Sequence, residues 1–444
     1  MERSLFWSKF WIRTRLAGLF PSVRKLVDTE TDALRFYSDR VLSAPVERML
    51  DAALFPQPMG SHVIDLNMAA PRFEMATSLN RVFVDRAGQP PARGLKELRE
   101  AVAQDALRRE GVAIDAREEV LVTHGATGAL TTAIDAFLNP DERVVVFDPC
   151  SPLFAMAASA RRVRVTWVPT WTEAGRCRFH PKALQQALRG AKMVLFSDPA
   201  NPTGACFARE DLELLASVAA KFDVLIYRDD SHGRFRFEGE STAMEAIPTA
   251  KNRTLTASSA TSLGLASARV GWLRGPRGLI NGCTVAANLG APFVPAVCQQ
   301  LAARAIRETD EQAFAPVREP LQQRRQFAFD RLEAMGLEPE WPAGGCYLQV
   351  SVAHLGVTAR QFAERLYQER QVLVGPGDLY SPRGDGHVRI SFAIEDGRLR
   401  EGLNRLEAHL EREPIEPAIA AEPEERKEPH VEFRDVQRPA FSRS

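Results

Sequence analysis

From position 61 onward the chain alternates between short apolar runs and stretches with a helical period. EEVLVTHG is an apolar run ending at Gly125, followed by the helical ATGALTTAIDAFL. RVVVFDP is a β-branched run closed by Pro149, and AKMVLFSDP, FDVLIYRDD and RTLTASS repeat the design, with helical periods such as REDLELLASVAAKF between them. Strands separated by helices imply a mostly parallel sheet covered on both faces. Such sheets bind ligands outside the carboxyl ends of their strands. Each run here ends in polar residues: Thr123 and His124, Asp148, Ser197 and Asp198, Arg228 to Asp230, Ser258 and Ser259. That shared rim is the candidate site.

After ANLGAPFVPAV comes a long helical stretch, roughly 296–333, then CYLQVSV, a helix near 358–369, HVRISFA and a last helix ending near 411. This second series predicts a smaller C-terminal α/β domain. The expected plan is an N-terminal extension over 1–60, a large domain over 61–295, the small domain over 296–412 and a Pro- and Glu-rich tail over 413–444. The tail, EREPIEPAIAAEPEERKEP and beyond, has little to bury and is expected to be disordered. The extension carries SLFWSKFWIRTRLAGLF, which reads as a basic amphipathic surface helix or as an arm that packs on a partner subunit. The arm is the simpler reading, and no secretory cleavage pattern follows it.

Composition narrows the function classes. Hydrophobic residues make up 45% of the 444 and charged residues 26%, ample for a core and ordinary for a surface. Net charge is +0, which gives nucleic acid no electrostatic footing as the main partner. No apolar run is long enough to cross a membrane. The six cysteines, Cys150, Cys177, Cys206, Cys283, Cys298 and Cys346, form no CxxC pair, as expected of reduced thiols in a cytoplasmic protein. The eight histidines show no HxxxH or HExxH spacing, so no metal site is expected.

One local motif carries chemistry by itself. Gly125, Ala126 and Thr127 open a helix directly after a strand, where backbone N–H groups and a hydroxyl make an anion site. Plain helix capping is the other reading of that turn alone.

The order of motifs resembles that of class I/II aminotransferases, the fold-type-I group of pyridoxal-phosphate enzymes. PPARGLKELREAVA, VTHGATGAL, SDPANPTGACF, YRDDSH, GLASARVGW and GHVRISFA follow one another as in that family, over about 64–411. The resemblance implies that Gly125, Ala126, Thr127, Ser258 and Arg269 hold a phosphate and that Asp229 faces the pyridine nitrogen. It implies that Asn201 bonds the ring's 3-oxygen and reaches the substrate, and that Arg389 grips a substrate carboxylate as a planar fork. It also implies an amino- or keto-acid substrate and an active site built across a dimer, either a homodimer or a heterodimer with an active homologue.

The sequence departs from the family at five positions. Thr261 stands where the Schiff-base lysine belongs, with Gly264, Leu265, Ala266, Arg269 and Gly271 fixing the register. Ser151 stands for the aromatic that stacks on the ring, and His232 for the tyrosine at the 3-oxygen. Gln89 stands for the tyrosine that reaches the partner's phosphate, and Ala69 for a glycine on the substrate side. Threonine can neither form an imine nor carry a proton near neutral pH, and loss of a positioned base costs on the order of 10²–10⁴ in rate. Ordinary transamination is therefore not expected. Two expectations remain: non-covalent binding of pyridoxal or pyridoxamine phosphate with His232 as acid/base beside Thr261, or a non-catalytic partner subunit. His124, at the same rim, is a second proton carrier to consider, or simply a histidine in a buried hydrogen bond.

Overall fold

The computed structural model describes residues 62–67 and 89–411. The N-terminal extension, Ala69 and the Pro/Glu-rich tail lie outside the described residues.

The expected alternation forms a sheet of eight strands. They are β2 (Val120–Thr123), β3 (Arg143–Asp148), β4 (Arg164–Glu173), β5 (Arg176–Phe179), β6 (Met193–Ser197), β7 (Leu225–Asp229), β8 (Thr254–Ser259) and β9 (Gly271–Arg274), in the order β2-β9-β8-β7-β6-β3-β4-β5. Strands β8, β7, β6, β3 and β4 run parallel, while β9 and β5 are antiparallel to their neighbours. The centre is parallel because its strands are joined by long crossovers, most of them carrying an α-helix and the β7–β8 connection two 3₁₀ turns. After β8 the chain passes through two 3₁₀ turns, Ala260–Leu263 and Ala266–Ala268, and β9 returns antiparallel to it. Both faces are covered. Val144, Val146, Leu195 and Tyr227 pack under helices Gly125–Phe137 and Pro152–Ser159, while Val145, Phe196 and Ile226 pack under Pro181–Leu188 and Arg209–Lys221.

The smaller body is built on a four-stranded antiparallel sheet, β10 (Glu338–Pro339), β11 (Tyr347–Ser351), β14 (His387–Ser391) and β13 (Gly375–Pro376). The first described strand, β1 (Ile64–Asp65), pairs with β12 (Val372–Leu373) and packs into this body's core through Ile64 and Leu66. The helical stretch over 296–333 is two helices, Ala296–Glu308 and Glu311–Ala334. Asp310 caps the second by accepting from the Ala313 N–H at 2.7 Å. Helix Ala359–Arg370 begins with a capping box between Thr358 and Gln361.

Strand alternation decides which rim residues face outward. Arg228 and Asp230 flank Asp229 and turn to the opposite face, where they are buried with Asp198 rather than lining the rim. Arg228 Nη2 lies 3.3 Å from both Asp198 and Asp230, and its Nη1 lies 3.6 Å from Glu110. Arg274 pairs with Glu110 and Glu245, Arg236 with Asp198, Arg109 with Asp230 and Asp105, and Arg234 with Asp105. Burial by itself would raise the Glu110 carboxyl. Arg274, Arg228 and Arg109 outweigh it and hold the pKa down to about 2.

A carboxyl depressed in the fold stabilises it above its unfolded pKa of 4.5, and that contribution is lost as pH falls toward about 2. Glu110→Ala should cost about 3–5 kcal/mol, because it leaves Arg274 and Arg228 short of a buried counter-charge. Urea titrations at pH 7 and pH 3 measure this, and the gap between wild type and variant should narrow at the lower pH. An equal gap at both values would contradict the assignment.

Candidate active site

The site is assembled at the carboxyl ends of β2, β7 and β8, with the small sheet as its roof. Strand β2 ends at Thr123, whose hydroxyl donates to the Gly125 carbonyl at 3.0 Å. Gly125 has φ +69°, and a Cβ there would meet Arg269 Nη2 at 2.9 Å, so glycine is what lets the guanidinium lie against the helix entrance. Gly271 serves the same closeness from β9, since its Cβ would meet the Gly125 carbonyl carbon at 2.4 Å. Arg269 itself has φ +51°, a left-handed conformation costing about 1–2 kcal/mol for a residue with a side chain. The first-turn N–H groups of Gly125–Phe137 have no intrahelical acceptor. With Thr127 exposed beside them and Arg269 alongside, they form an anion cradle. The Ser258 hydroxyl donates to the Asp230 carbonyl at 3.4 Å.

Asp229 ends β7 on the face away from the buried ion pairs. Its Oδ1 accepts from the Ser231 N–H at 2.9 Å. Burial raises its carboxyl above the usual range, against the pull of Ser231 and Arg228. His232, three residues on, has φ −106° and ψ 7°, the sparsely populated bridge region where active-site residues recur. Its ring stands edge-on to Tyr347 at 5.5 Å, and Nδ1 faces the Cys346 thiol at 4.0 Å. Burial, and then the Arg389 charge, push its pKa down to about 4.

Arg389 enters from β14. Nη1 donates to Asn201 Oδ1 at 3.0 Å, and Nη2 donates to the Asn67 carbonyl and side chain, each at 2.9 Å. The guanidinium lies between two rings, 4.1 Å from the Tyr347 centroid and 4.8 Å from that of Tyr380. It is 4% exposed, its Nε has no hydrogen-bond partner, and among the described residues no carboxylate pairs with it. Sequence reasoning missed Asn67, Tyr347, Tyr380 and Cys346, which the tertiary fold brings to the site and which carried no motif of their own.

Thr261 is half-buried in a 3₁₀ turn (Ala260–Leu263) directly after β8, closed by Gly264 at φ +76°. All five described lysines, Lys96, Lys182, Lys192, Lys221 and Lys251, are exposed. Ser151 is buried at the start of Pro152–Ser159, and Gln89 is exposed. His124 precedes the cradle, with a buried Nε2 that has no hydrogen-bond partner.

Comparison with known proteins points to one family. The family model for aminotransferase class I and II matches residues 61–406. The arginine–pyruvate transaminase AruH of Pseudomonas aeruginosa is 30% identical over 365 residues, 80% of this chain and 91% of that protein. The aspartate aminotransferase of Pyrococcus abyssi is 28% identical, covering 72% of this chain and 83% of its own. Among solved structures, aspartate aminotransferase from Thermus thermophilus with maleate superposes with a TM-score of 0.74 at 26% identity, over 84% of this chain and 99% of that one.

A histidine whose folded pKa lies below its unfolded value of 6.5 takes up its proton less readily in the fold. It therefore costs stability as pH falls from 6.5 toward about 4 and costs nothing above that window. Histidine-selective NMR should find one imidazole titrating near 4, assigned by its loss in His232→Gln. That variant should also flatten the fall of stability across the window. A His232 midpoint at or above 6.5 would refute the burial argument.

Proposed function

The chain belongs to the aminotransferase class I and II family, and from that premise we propose that it holds pyridoxal or pyridoxamine phosphate without a covalent bond and acts on an amino or keto acid. The observation that carries the reading is Thr261 in the turn after β8, where the family's lysine would stand, with every described lysine exposed elsewhere. The residues present fit the cofactor. The cradle that a Cβ at Gly125 would fill suits its phosphate, through the first-turn N–H groups, Thr127 and Arg269. Asp229 would face the ring nitrogen, and Asn201 and Ser258 complete the set. The bound cofactor supplies an electron-withdrawing ring.

The remaining work falls to this chain's side chains. Arg389 orients the substrate carboxylate through its unpaired Nε edge. Asn201 holds Arg389 in place and fixes the small body over the large one. With Nδ1 turned to Cys346, His232 Nε2 is the atom left to accept or deliver a proton. One observation favours a second reading, a non-catalytic partner subunit. An imidazole with its pKa near 4 is a weak acceptor at neutral pH.

The dimer is part of the same proposal. Val285, Leu289, Phe293 and Val297 follow one another at four-residue steps and are 62%, 85%, 37% and 40% exposed. A second copy of this chain is the occupant that suits these exposed apolar residues, because sites of this family are shared across a two-fold interface. Leu289→Glu combined with Val285→Glu should shift the sedimentation coefficient to that of a monomer; a wild-type monomer would end the idea.

Dialysis should strip added pyridoxal phosphate, and borohydride should leave no labelled peptide from the site. Thr261→Lys should restore covalent attachment, because it returns an amine to the position where the family carries its lysine. His232→Ala should abolish turnover of an identified substrate while leaving cofactor affinity nearly intact. A borohydride-labelled lysine peptide in the wild-type protein would overturn the proposal. Turnover by His232→Ala at the wild-type rate would overturn the role of His232.

A further inference from the structure

A cleft between the two bodies lies beside Asn201 and is not used by the chemistry above. Its floor is aromatic, from Phe147, Phe196 and Phe207, and Trp171, 42% exposed, lies at its edge. Its far wall is Glu340 with Gln349, from the small sheet, and Thr172, from β4. In the sheet register Gln349 is directly opposite Arg389, and the Glu340 N–H donates to the Gln349 carbonyl at 2.8 Å. Glu340, Gln349 and Arg389 therefore occupy one row across neighbouring strands. Residues paired across a sheet project to one face, so the row points at the large body. The contacts agree: Arg389 reaches Asn201, while Glu340 accepts from the Thr172 hydroxyl and from Gln349 Nε2, the latter at 3.2 Å. Two strand spacings separate Arg389 from Glu340 in the row, about 10 Å.

The two ends of the row carry opposite charges that the protein does not compensate. Arg389 has no carboxylate partner among the described residues. Among the same residues no cation lies within salt-bridge reach of Glu340, whose carboxyl burial pushes above its usual range against Thr172, His387 and Gln349. A half-buried carboxylate given two neutral donors and no cation is well placed to take a cationic ligand group.

We infer that this row measures the substrate: its carboxylate sits on Arg389 and a terminal ammonium on its side chain sits on Glu340, braced by Thr172 and Gln349. The assignment deepens the proposed function and rests on Arg389 as the carboxylate anchor. It selects diamino acids of the length of ornithine or lysine. Acidic side chains are rejected, because Glu340 would face a second carboxylate in a poorly solvated cleft.

The test is calorimetric titration of the full-length chain, supplemented with pyridoxamine phosphate, using L-ornithine, L-norvaline and L-glutamate. Norvaline has ornithine's carbon chain without the amine. Ornithine should bind about tenfold or more tightly than norvaline, the gain of one charge-assisted contact, and glutamate should bind weakest. Glu340→Gln, close in shape, should bring ornithine down to norvaline's affinity, and Thr172→Val should lower ornithine's affinity by less. Equal affinities for all three ligands would overturn this inference and leave the Arg389 anchor standing. A preference for ornithine that survives Glu340→Gln would overturn it as well. No binding of any of the three would sink the Arg389 anchor itself, and this inference with it. Borohydride labelling separately decides how the cofactor is attached.

Discussion

Arg228 is fully buried in the middle of the large sheet, and its charge is met by carboxylates from three separate segments: Glu110 at the end of a helix, Asp198 after β6 and Asp230 after β7. Removing these four charges from water is worthwhile only when the geometry is satisfied all round. The network therefore tolerates no slip in the register of β7. Strand alternation then leaves one place for Asp229, on the opposite face at the strand end. The position of the cleft carboxylate is thus set by ion pairs that never touch the cleft.

The molecule sorts its arginines by partner. Arg109, Arg228, Arg234, Arg236 and Arg274 are neutralised by carboxylates in the interior. Arg269 and Arg389 have no carboxylate partner among the described residues. Arg269 rests against the glycine-lined helix entrance, and Arg389 against amides and two tyrosine rings. Amides and ring faces orient a guanidinium without cancelling its charge. The field of both arginines thus remains available to an anion, and the Arg389 charge adds to burial in keeping the neighbouring His232 imidazole neutral.

What the sequence disclosed follows from what is local. Strand runs ending in polar residues located the rim, and short motifs singled out Gly125, Asp229, Asn201 and Arg269 beside it and Arg389 on the small sheet. What is decided at a distance was hidden. Three consecutive charges, Arg228 to Asp230, give no hint of which one faces the cleft until the sheet's two faces are known. The β4–β5 hairpin was not anticipated, and the break at Thr309 between two helices was masked by a continuous helical period. Cys346 beside His232, the tyrosines around Arg389 and the row from Glu340 to Arg389 depend on antiparallel register, which no window of sequence encodes.

If no covalent bond holds the cofactor, retention rests on reversible contacts, and these come from two bodies. The cradle and Asp229 belong to the large one; Arg389 belongs to the small one and is held to the large by Asn201. The Cys150 N–H to Tyr380 carbonyl bond at 3.0 Å and the Arg383–Asp148 pair fasten the same seam. A substrate carboxylate on Arg389 together with a cofactor on Arg269 would span that seam, so each ligand adds to the free energy that keeps the bodies together. By linkage, whatever holds the bodies together favours the other ligand in turn. A family member with a lysine obtains its tether from one residue of the large body, whereas a chain without that bond would have its tether spread over the closed seam.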